Sequence, residues 1–194
     1  MYEYISGKLA GLTPSTAVVD CGGVGYLLEI TLSTYSAIQG RENVHLWVQE
    51  SVREDAFQLF GFVTGEERQM FRLLTGVNGV GAQTARMMLS ALSAEELSEA
   101  IARGDTKRVA SAKGIGKKMA ERIVLELRDK VMPGGFQEPV GGFGQPSAIN
   151  QNKEEALSAL VMLGFPKAAS EKVLGKLDGS LTVEALIKEA LKRL

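Results

Sequence analysis

Residues Val77-Asn78-Gly79-Val80-Gly81 recur 35 positions later as Ala112-Lys113-Gly114-Ile115-Gly116. After each second glycine the same apolar pattern follows at the same offsets. It is Ala85, Met88, Leu89 and Leu92 in the first copy, and Ala120, Ile123, Val124 and Leu127 in the second. That i, i+3, i+4, i+7 spacing marks one face of a helix. Each copy is therefore a Gly-apolar-Gly turn opening directly into an amphipathic helix. One such turn is commonplace between packed helices. Two in register, each with the same helix behind it, constrain the middle of the chain to a duplicated helical unit.

The unit has a defined chemistry. A helix N-terminus presents unpaired N–H groups and a partial positive charge. Glycines lack Cβ atoms, so another backbone can approach closely. The natural ligand is a phosphate, and backbone N–H contacts to phosphate read no base sequence. The apolar residue between the glycines can anchor the turn into the local core. In the second copy Lys117 and Lys118 follow Gly116 directly, Arg122 lies one turn further on, and Lys113 precedes the glycines. The first copy has only Ala82, Gln83 and then Arg86. The second hairpin is thus expected to supply more of any salt-dependent affinity. The pattern resembles the tandem helix-hairpin-helix DNA-binding motif. Neither copy fits G-x-x-x-x-G-K-[ST] or continues as G-x-G-x-x-G, so no nucleotide-hydrolysing or dinucleotide loop is expected.

On either side of the repeat the chain changes character. Short β-rich runs at residues 2–9, 16–20, 26–31, 44–52 and 57–62 are separated by turn signals, notably Gly22-Gly23 and Gly40. Five short strands suit an oligonucleotide/oligosaccharide-binding (OB) barrel over 1–63. Its last two strands would form a hairpin tipped by Arg53-Glu54-Asp55. Residues 64–132 read as helical, with capping boxes at Thr64–Glu67 and Ser93–Glu96. Residues 133–151 read as a flexible linker, because 133–152 hold five Gly, three Pro and one charge. Residues 152–194 read as three short helices, with Asn152 and Thr182 as caps and Pro166 in a first turn. The last carries Val183, Leu186, Ile187, Ala190, Leu191 and Leu194 on one stripe.

Charge follows the same division. Residues 1–62 hold three basic and seven acidic residues, net −4, whereas 63–133 are net +3 and 103–130 alone net +5. A basic middle behind an acidic head suggests a nucleic-acid partner. One cysteine, Cys21, excludes an internal disulfide, and one histidine, His45, excludes a multi-His metal site. No cofactor, metal or catalytic residue is expected. No apolar run reaches bilayer length and the N-terminus lacks a signal pattern, so a cytoplasmic, reduced setting is expected. Cys21 reads as a small buried residue, Met87-Met88 as helix packing, and His45 with Trp47 as one face of a barrel strand.

The order of parts, together with particular segments, resembles the RuvA family over essentially the whole chain. These are the Holliday-junction-binding subunits of the bacterial branch migration machinery. The segments are Gly22-Gly23-Val24-Gly25-Tyr26, Val52-Arg53-Glu54-Asp55-Ala56 with Leu59-Phe60-Gly61-Phe62, the two Gly-x-Gly turns with Lys117-Lys118 and Ala120-Glu121-Arg122, and Leu163-Gly164-Phe165. The resemblance implies an α+β multidomain chain: an OB-type barrel, a tandem helix-hairpin-helix domain, a linker and a three-helix domain like ubiquitin-associated domains. It implies fourfold tetramers, one or two per junction, that hold a Holliday junction open and square. Hexameric RuvB ATPase would dock on the C-terminal domain, and RuvC resolvase would act in the same system. Gly79, Gly81, Gly114 and Gly116 would contact phosphates, and Lys117, Lys118 and Arg122 would add charge. Glu54 and Asp55 would form an acidic pin that repels phosphates at the crossover.

Two other classes stand beside this reading. A repair enzyme built on helix-hairpin-helix elements would need a catalytic Lys or Asp near the second hairpin, where Lys117, Lys118 and Asp129 are the local candidates. A general single-strand binder would use the barrel, but single-strand grooves are usually basic and this barrel is acidic.

Overall fold

The structure, a computed structural model, describes residues 1–52, 56–131, 148–178 and 181–194. The chain falls into two compact units, Met1–Phe136 and Gln137–Leu194.

The first unit begins with five strands: β1 (Tyr4–Leu12), β2 (Thr16–Cys21), β3 (Val24–Ile30), β4 (Asn43–Val52) and β5 (Phe57–Phe62). They close into a barrel in the order β1-β2-β3-β5-β4. Only the β3–β5 pairing is parallel, with Glu29 opposite Phe60. Alternate residues point inward: Ala17 and Val19 on β2, Leu28 and Ile30 on β3, Val44, Leu46 and Val48 on β4. The β2–β3 turn uses Gly22 and Gly23 at positive φ, and the Gly23 N–H donates to Asp20 Oδ1 at 2.8 Å.

Helix α1 (Leu32–Ile38) between β3 and β4 was not expected from the pattern. Its sequence, LSTYSAI, is rich in residues of modest helix propensity. Tertiary context holds it. Thr31 caps it by accepting from the Thr34 N–H, and Thr34 and Ile38 are buried.

From Leu59 onward strand β5 is buried on both faces. Leu59 belongs to the barrel core, and Gly61 faces Leu28 and Leu46 so closely that a Cβ would sit 3.0 Å from Leu28 Cδ2. Phe60 and Phe62 point the other way, and their rings lie 4.9 and 5.0 Å from Phe71. Phe71 lies on α2 (Gly65–Thr75), the first of five helices that continue the unit. The others are α3 (Ala82–Ala91), α4 (Ala94–Arg103), α5 (Thr106–Ala110) and α6 (Lys117–Val131). Phe60, Phe62 and the buried faces of these helices form one continuous core. Burying a phenylalanine contributes roughly 1.5–3 kcal/mol, so three rings at this joint make a strong seam.

A polar bolt reinforces the seam. Glu67 on α2 is buried, and its carboxylate accepts from Thr31 Oγ1 at 2.5 Å and Thr34 Oγ1 at 2.9 Å. Both hydroxyls donate to it, since an ionised carboxylate can only accept, and each in turn accepts a backbone N–H, from Thr34 and Val63 respectively. This corrects the expected box at the start of α2. Thr64 does accept from the Glu67 N–H, but the Glu67 side chain turns into the barrel joint instead of back to its own cap. The box at Ser93 and Glu96 is complete. Burial pushes the Glu67 carboxyl up from the usual glutamate range, and the two threonine hydroxyls pull it partly back.

The second unit packs α7 (Ala148–Met162), α8 (Lys167–Gly175) and α9 (Val183–Leu191) around Ala156, Leu160, Leu174, Leu186 and Ala190. Helix α7 opens at Ala148, so Asn152 lies inside it and is not its cap. Its side-chain amide donates to the Leu181 carbonyl at 3.1 Å, joining α7 to the approach to α9. Pro166 sits at the N-cap of α8, one residue before its first turn, and Thr182 caps α9.

Replacing Thr34 by Val keeps the shape of the side chain but leaves Glu67 one donor short. Thermal or urea unfolding should show a loss of about 1–3 kcal/mol at neutral pH. The Glu67 pKa, already raised, should rise further, so its native carboxylate becomes costlier above the usual glutamate range and not below it. The loss should therefore shrink as pH falls toward that range. An equal loss at both ends of the range would contradict the charged-acceptor role.

Candidate nucleic-acid interface

The two Gly-x-Gly turns have the same backbone geometry. In the first, the Val77 N–H donates to Leu74 O at 3.0 Å and the Val80 N–H to Val77 O at 3.0 Å. In the second, the Ala112 N–H donates to Val109 O at 3.4 Å and the Ile115 N–H to Ala112 O at 3.2 Å. Every partner is displaced by the repeat interval. Gly79 (φ 93°) and Gly114 (φ 88°) take the left-handed backbone that L side chains avoid. Val80 and Ile115 are buried and plug each turn into the core, while the flanking glycines stay exposed.

The helices behind the turns differ from their neighbours at the start. Helices α2 and α4 open with a side-chain cap and two glutamates in the first turn. Helix α3 opens on Gly81 with no side-chain cap bond, α6 follows Gly116, which has no side chain to offer, and neither carries an acid in its first turn. Their leading N–H groups are left for an outside acceptor. Open space surrounds Gly116: a Cβ there would meet nothing within 4 Å. Beside it Lys113, Lys117 and Lys118 are exposed and have no ion-pair partner among the described residues. By contrast Arg103 pairs with Glu99, and Arg108 with Glu96 at 2.8 Å.

The turns are braced against each other. Arg122 on α6 donates to the Asn78 carbonyl in the first turn at 3.1 Å. Met119 reaches Gly79, where a Cβ would lie 2.8 Å from its Cε, and Met87 on α3 reaches Gly114. Met87 and Arg122 occupy equivalent places in the repeat, so each copy sends the same position across to the other turn. Arg122 therefore braces the two turns as well as carrying charge. Met88 packs in the core as expected, whereas Met87 is partly exposed over the second turn.

Gln83 and Arg86 have a use the sequence did not reveal. Gln83 donates to Glu29 Oε2 at 2.6 Å, and Arg86 donates to the carbonyls of Ser15 and Ile30 and lies 3.6 Å from Glu29 Oε2. Ser90, one turn on, accepts from the Leu32 N–H. This polar stripe docks α3 on the barrel. Its equivalents in the second copy, Lys118, Glu121 and Leu125, face solvent. The first hairpin thus has less free charge than its composition suggests.

The β4–β5 ladder runs out to Val52 opposite Phe57. Glu54 and Asp55 lie in the connection beyond it, outside the described residues. A cleft of about 250 Å³ separates β4 from the start of α3, lined by Gln49, Glu50, Ser51, Thr75 and Gly81 among others. Arg72 on α2 crosses nearby to Gln49 Oε1 at 2.6 Å.

Elsewhere on the barrel, His45 lies between the rings of Tyr4 and Trp47 at 4.5 and 5.6 Å, on the outer surface. The buried Arg68 guanidinium sits 4.7 Å over Trp47 and bonds Glu3 at 2.7 Å, holding the Glu3 carboxyl below the usual glutamate range. Cys21 is only half-buried, its thiol donating to the Ser6 carbonyl, because β2 ends at the barrel rim. Among the described residues, no three His, Cys, Asp or Glu side chains cluster as metal ligands, and no helix is long and apolar enough to cross a membrane.

In the second unit the structure separates core from surface. Leu186 is fully buried and Ile187 partly so, while Leu191 is 44% exposed. Val161, Met162 and Leu163 at the end of α7 are also exposed.

A five-stranded barrel fused to duplicated, cross-braced Gly-x-Gly turns defines a class: tandem helix-hairpin-helix proteins carried on an OB-type barrel. Comparison with known proteins narrows it. Residues 1–61 match the RuvA N-terminal domain, 71–129 the SAM-like helix-hairpin-helix tandem, and 151–194 the RuvA C-terminal domain. A Holliday junction branch migration complex subunit RuvA from Bacteroides thetaiotaomicron is 47% identical over the whole of both chains. Its counterpart in Christiangramia forsetii is 44% identical over the whole of both, and that in Geotalea daltonii 42% identical over all of this chain and 99% of its own. The chain belongs to the RuvA family.

The turn geometry separates folding from binding at neighbouring glycines. Gly114→Ala forces an L residue into left-handed backbone and should cost about 1–2 kcal/mol in an unfolding measurement. Gly79→Ala should cost more, since Met119 must also move. Gly116→Ala meets no neighbour and should cost under about 1 kcal/mol. A larger loss at residue 116 than at 114 would contradict this assignment.

Proposed function

We propose that this chain is a non-catalytic DNA-binding subunit that grips Holliday junctions irrespective of base sequence. The observation that carries the proposal is the pair of equivalent turns, each ending in an uncapped helix N-terminus and each braced by the other. Gly81 and Gly116 let DNA backbone approach the leading N–H groups of α3 and α6, while Gly79 and Gly114 supply the left-handed backbone that turns the chain toward it. Lys117 and Lys118 supply most of the salt-dependent attraction, with Lys113 beside them. Arg122 adds charge while bracing the first turn. Binding by phosphate and shape suits a substrate defined by its four-way geometry.

The assembly is part of the same reading. Four chains around a fourfold axis, singly or as two facing tetramers, present eight turns to the four arms and hold the junction open and square. Glu54 and Asp55 from each chain stand near the crossover as the acidic pin. About eight negative charges there repel phosphates and disfavour continuous duplex. The second unit recruits the RuvB ATPase through the exposed apolar side chains Val161, Met162, Leu163 and Leu191, and the linker expected over 133–151, whose residues 133–147 lie outside the described ones, would give the motor reach. RuvC resolvase works on the same junction, in the bacterial cytoplasm. The ATP chemistry of branch migration belongs to the motor, and this chain needs no metal or cofactor.

One panel of variants tests the residue roles. Changing Lys117 and Lys118 together to Ala should weaken junction binding and reduce the slope of log affinity against log salt by about 2. An unchanged slope would remove both from the phosphate contacts. Gly116→Ala should fold normally yet bind junctions more weakly, because its Cβ stands where the DNA backbone must come. Glu54→Gln with Asp55→Asn should leave junction affinity equal or higher while relaxing the preference over duplex. A loss of affinity for both DNAs would overturn the repulsive role of the pin.

A further inference from the structure

The seam between α3 and the barrel contains one carboxylate that bonds in two directions. Glu29 lies on β3, the strand paired in parallel with β5. Its Oε1 accepts from Gln58 Nε2 at 2.7 Å, and Gln58 lies on β5, one residue into the strand that follows the β4–β5 connection. Its Oε2 accepts from Gln83 Nε2 at 2.6 Å and lies 3.6 Å from Arg86 Nε. Gln83 and Arg86 stand in the first turns of α3, immediately behind Gly81. The side chains of Glu29 and Arg86 are each about four-fifths shielded from solvent. Hydrogen bonds to a shielded carboxylate are stronger and more directional than exposed ones.

From this geometry we infer that Glu29 is a positioning residue that sets the spacing between the β4–β5 hairpin and the first phosphate-binding turn. The inference rests on the junction-binding reading above. Phe60, Phe62 and Phe71 already join the barrel to the helical core, but that joint is apolar and carries no directional bond to the outward stripe of α3. The start of α3 is fixed to the barrel by Gln83 and Arg86, and Glu29 is the side chain they share with β5. A single arm of duplex needs only a turn and a phosphate. A four-way junction must fit the body of the β4–β5 hairpin between its arms while the turns hold them, whatever the charge at the hairpin's tip, so it alone depends on their separation being held. Glu29 therefore governs discrimination between DNA shapes while touching no DNA itself.

The second copy explains why the tether is needed. Its α6 continues for 15 residues and is held by α4 and α5. Helix α3 is shorter, and its outward stripe would be unanchored without the barrel. Arg86 keeps its bonds to Ser15 and Ile30 when Glu29 is altered, so α3 stays attached while its link to β5 is released.

The experiment measures affinity for a four-way junction and for linear duplex of equal length, using wild type, Glu29→Ala and Glu29→Gln, with thermal unfolding of each. Glu29→Ala should lower the junction preference about tenfold, a usual size for coupling within one network. Duplex affinity should stay within about twofold of wild type, since the turn itself is intact. Glu29→Gln keeps the side chain's shape and one amide contact and should show a smaller drop in the same direction. If Glu29→Ala does not fold, Glu29→Gln decides alone. An unchanged preference in a folded variant, or an equal loss for both DNAs, overturns the positioning role. A wild-type chain with no junction preference would instead overturn the junction-binding reading beneath it.

Discussion

From Leu59 to Phe62 strand β5 has no solvent face, and the arrangement of the first unit depends on that. Leu59 and Gly61 close the barrel interior, while Phe60 and Phe62 begin the helical core against Phe71. One strand thus belongs to two cores, so the barrel and the helix-hairpin-helix pair move as one body. The buried Glu67 carboxylate, held by Thr31 and Thr34, adds directionality to an otherwise apolar joint. The α3 seam through Glu29, Gln83 and Arg86 extends the same joint toward the first turn.

Rigidity matters because each phosphate-type turn is a weak device alone. A helix N-terminus offers about half a positive charge and a few N–H groups. Useful affinity comes from presenting several at fixed separation, so that the second contact costs little once the first is made. The cross-braces do this within the chain: Arg122 to Asn78, Met119 against Gly79, Met87 over Gly114. The two turns then divide the work. The first spends its polar side chains on docking to the barrel, and the second leaves its lysines exposed and without ion-pair partners among the described residues.

Much of this was legible in the sequence, and the reasons are specific. The barrel strands were readable because alternation and glycine turns are local signals, and β5 matched its expected limits at both ends. The duplicated turns were readable because glycine at left-handed φ and an apolar plug have few substitutes. Helix α1 was not, because LSTYSAI has little helical propensity and is held by the burial of Thr34 and Ile38 and by Glu67, more than thirty residues away. The docking roles of Gln83 and Arg86 were hidden for the same reason: Glu29 lies more than fifty residues away. Asn152 looked like a cap because Asn favours that position, yet the helix had already begun at Ala148 and the amide found Leu181 instead. The resemblance to the RuvA family was carried by short segments that the family comparison then matched over all three parts of the chain.

The central claim is that four-way geometry, and no base sequence, is what the duplicated turns recognise. Its most direct test is competition between a four-way junction and linear duplex of equal length for the purified chain at physiological salt, with the mass of the complex read in the same run. The account predicts strong preference for the junction, insensitive to the sequence of its arms, with four or eight chains per junction. Equal occupancy of junction and duplex would contradict it, leaving a general helix-hairpin-helix DNA binder.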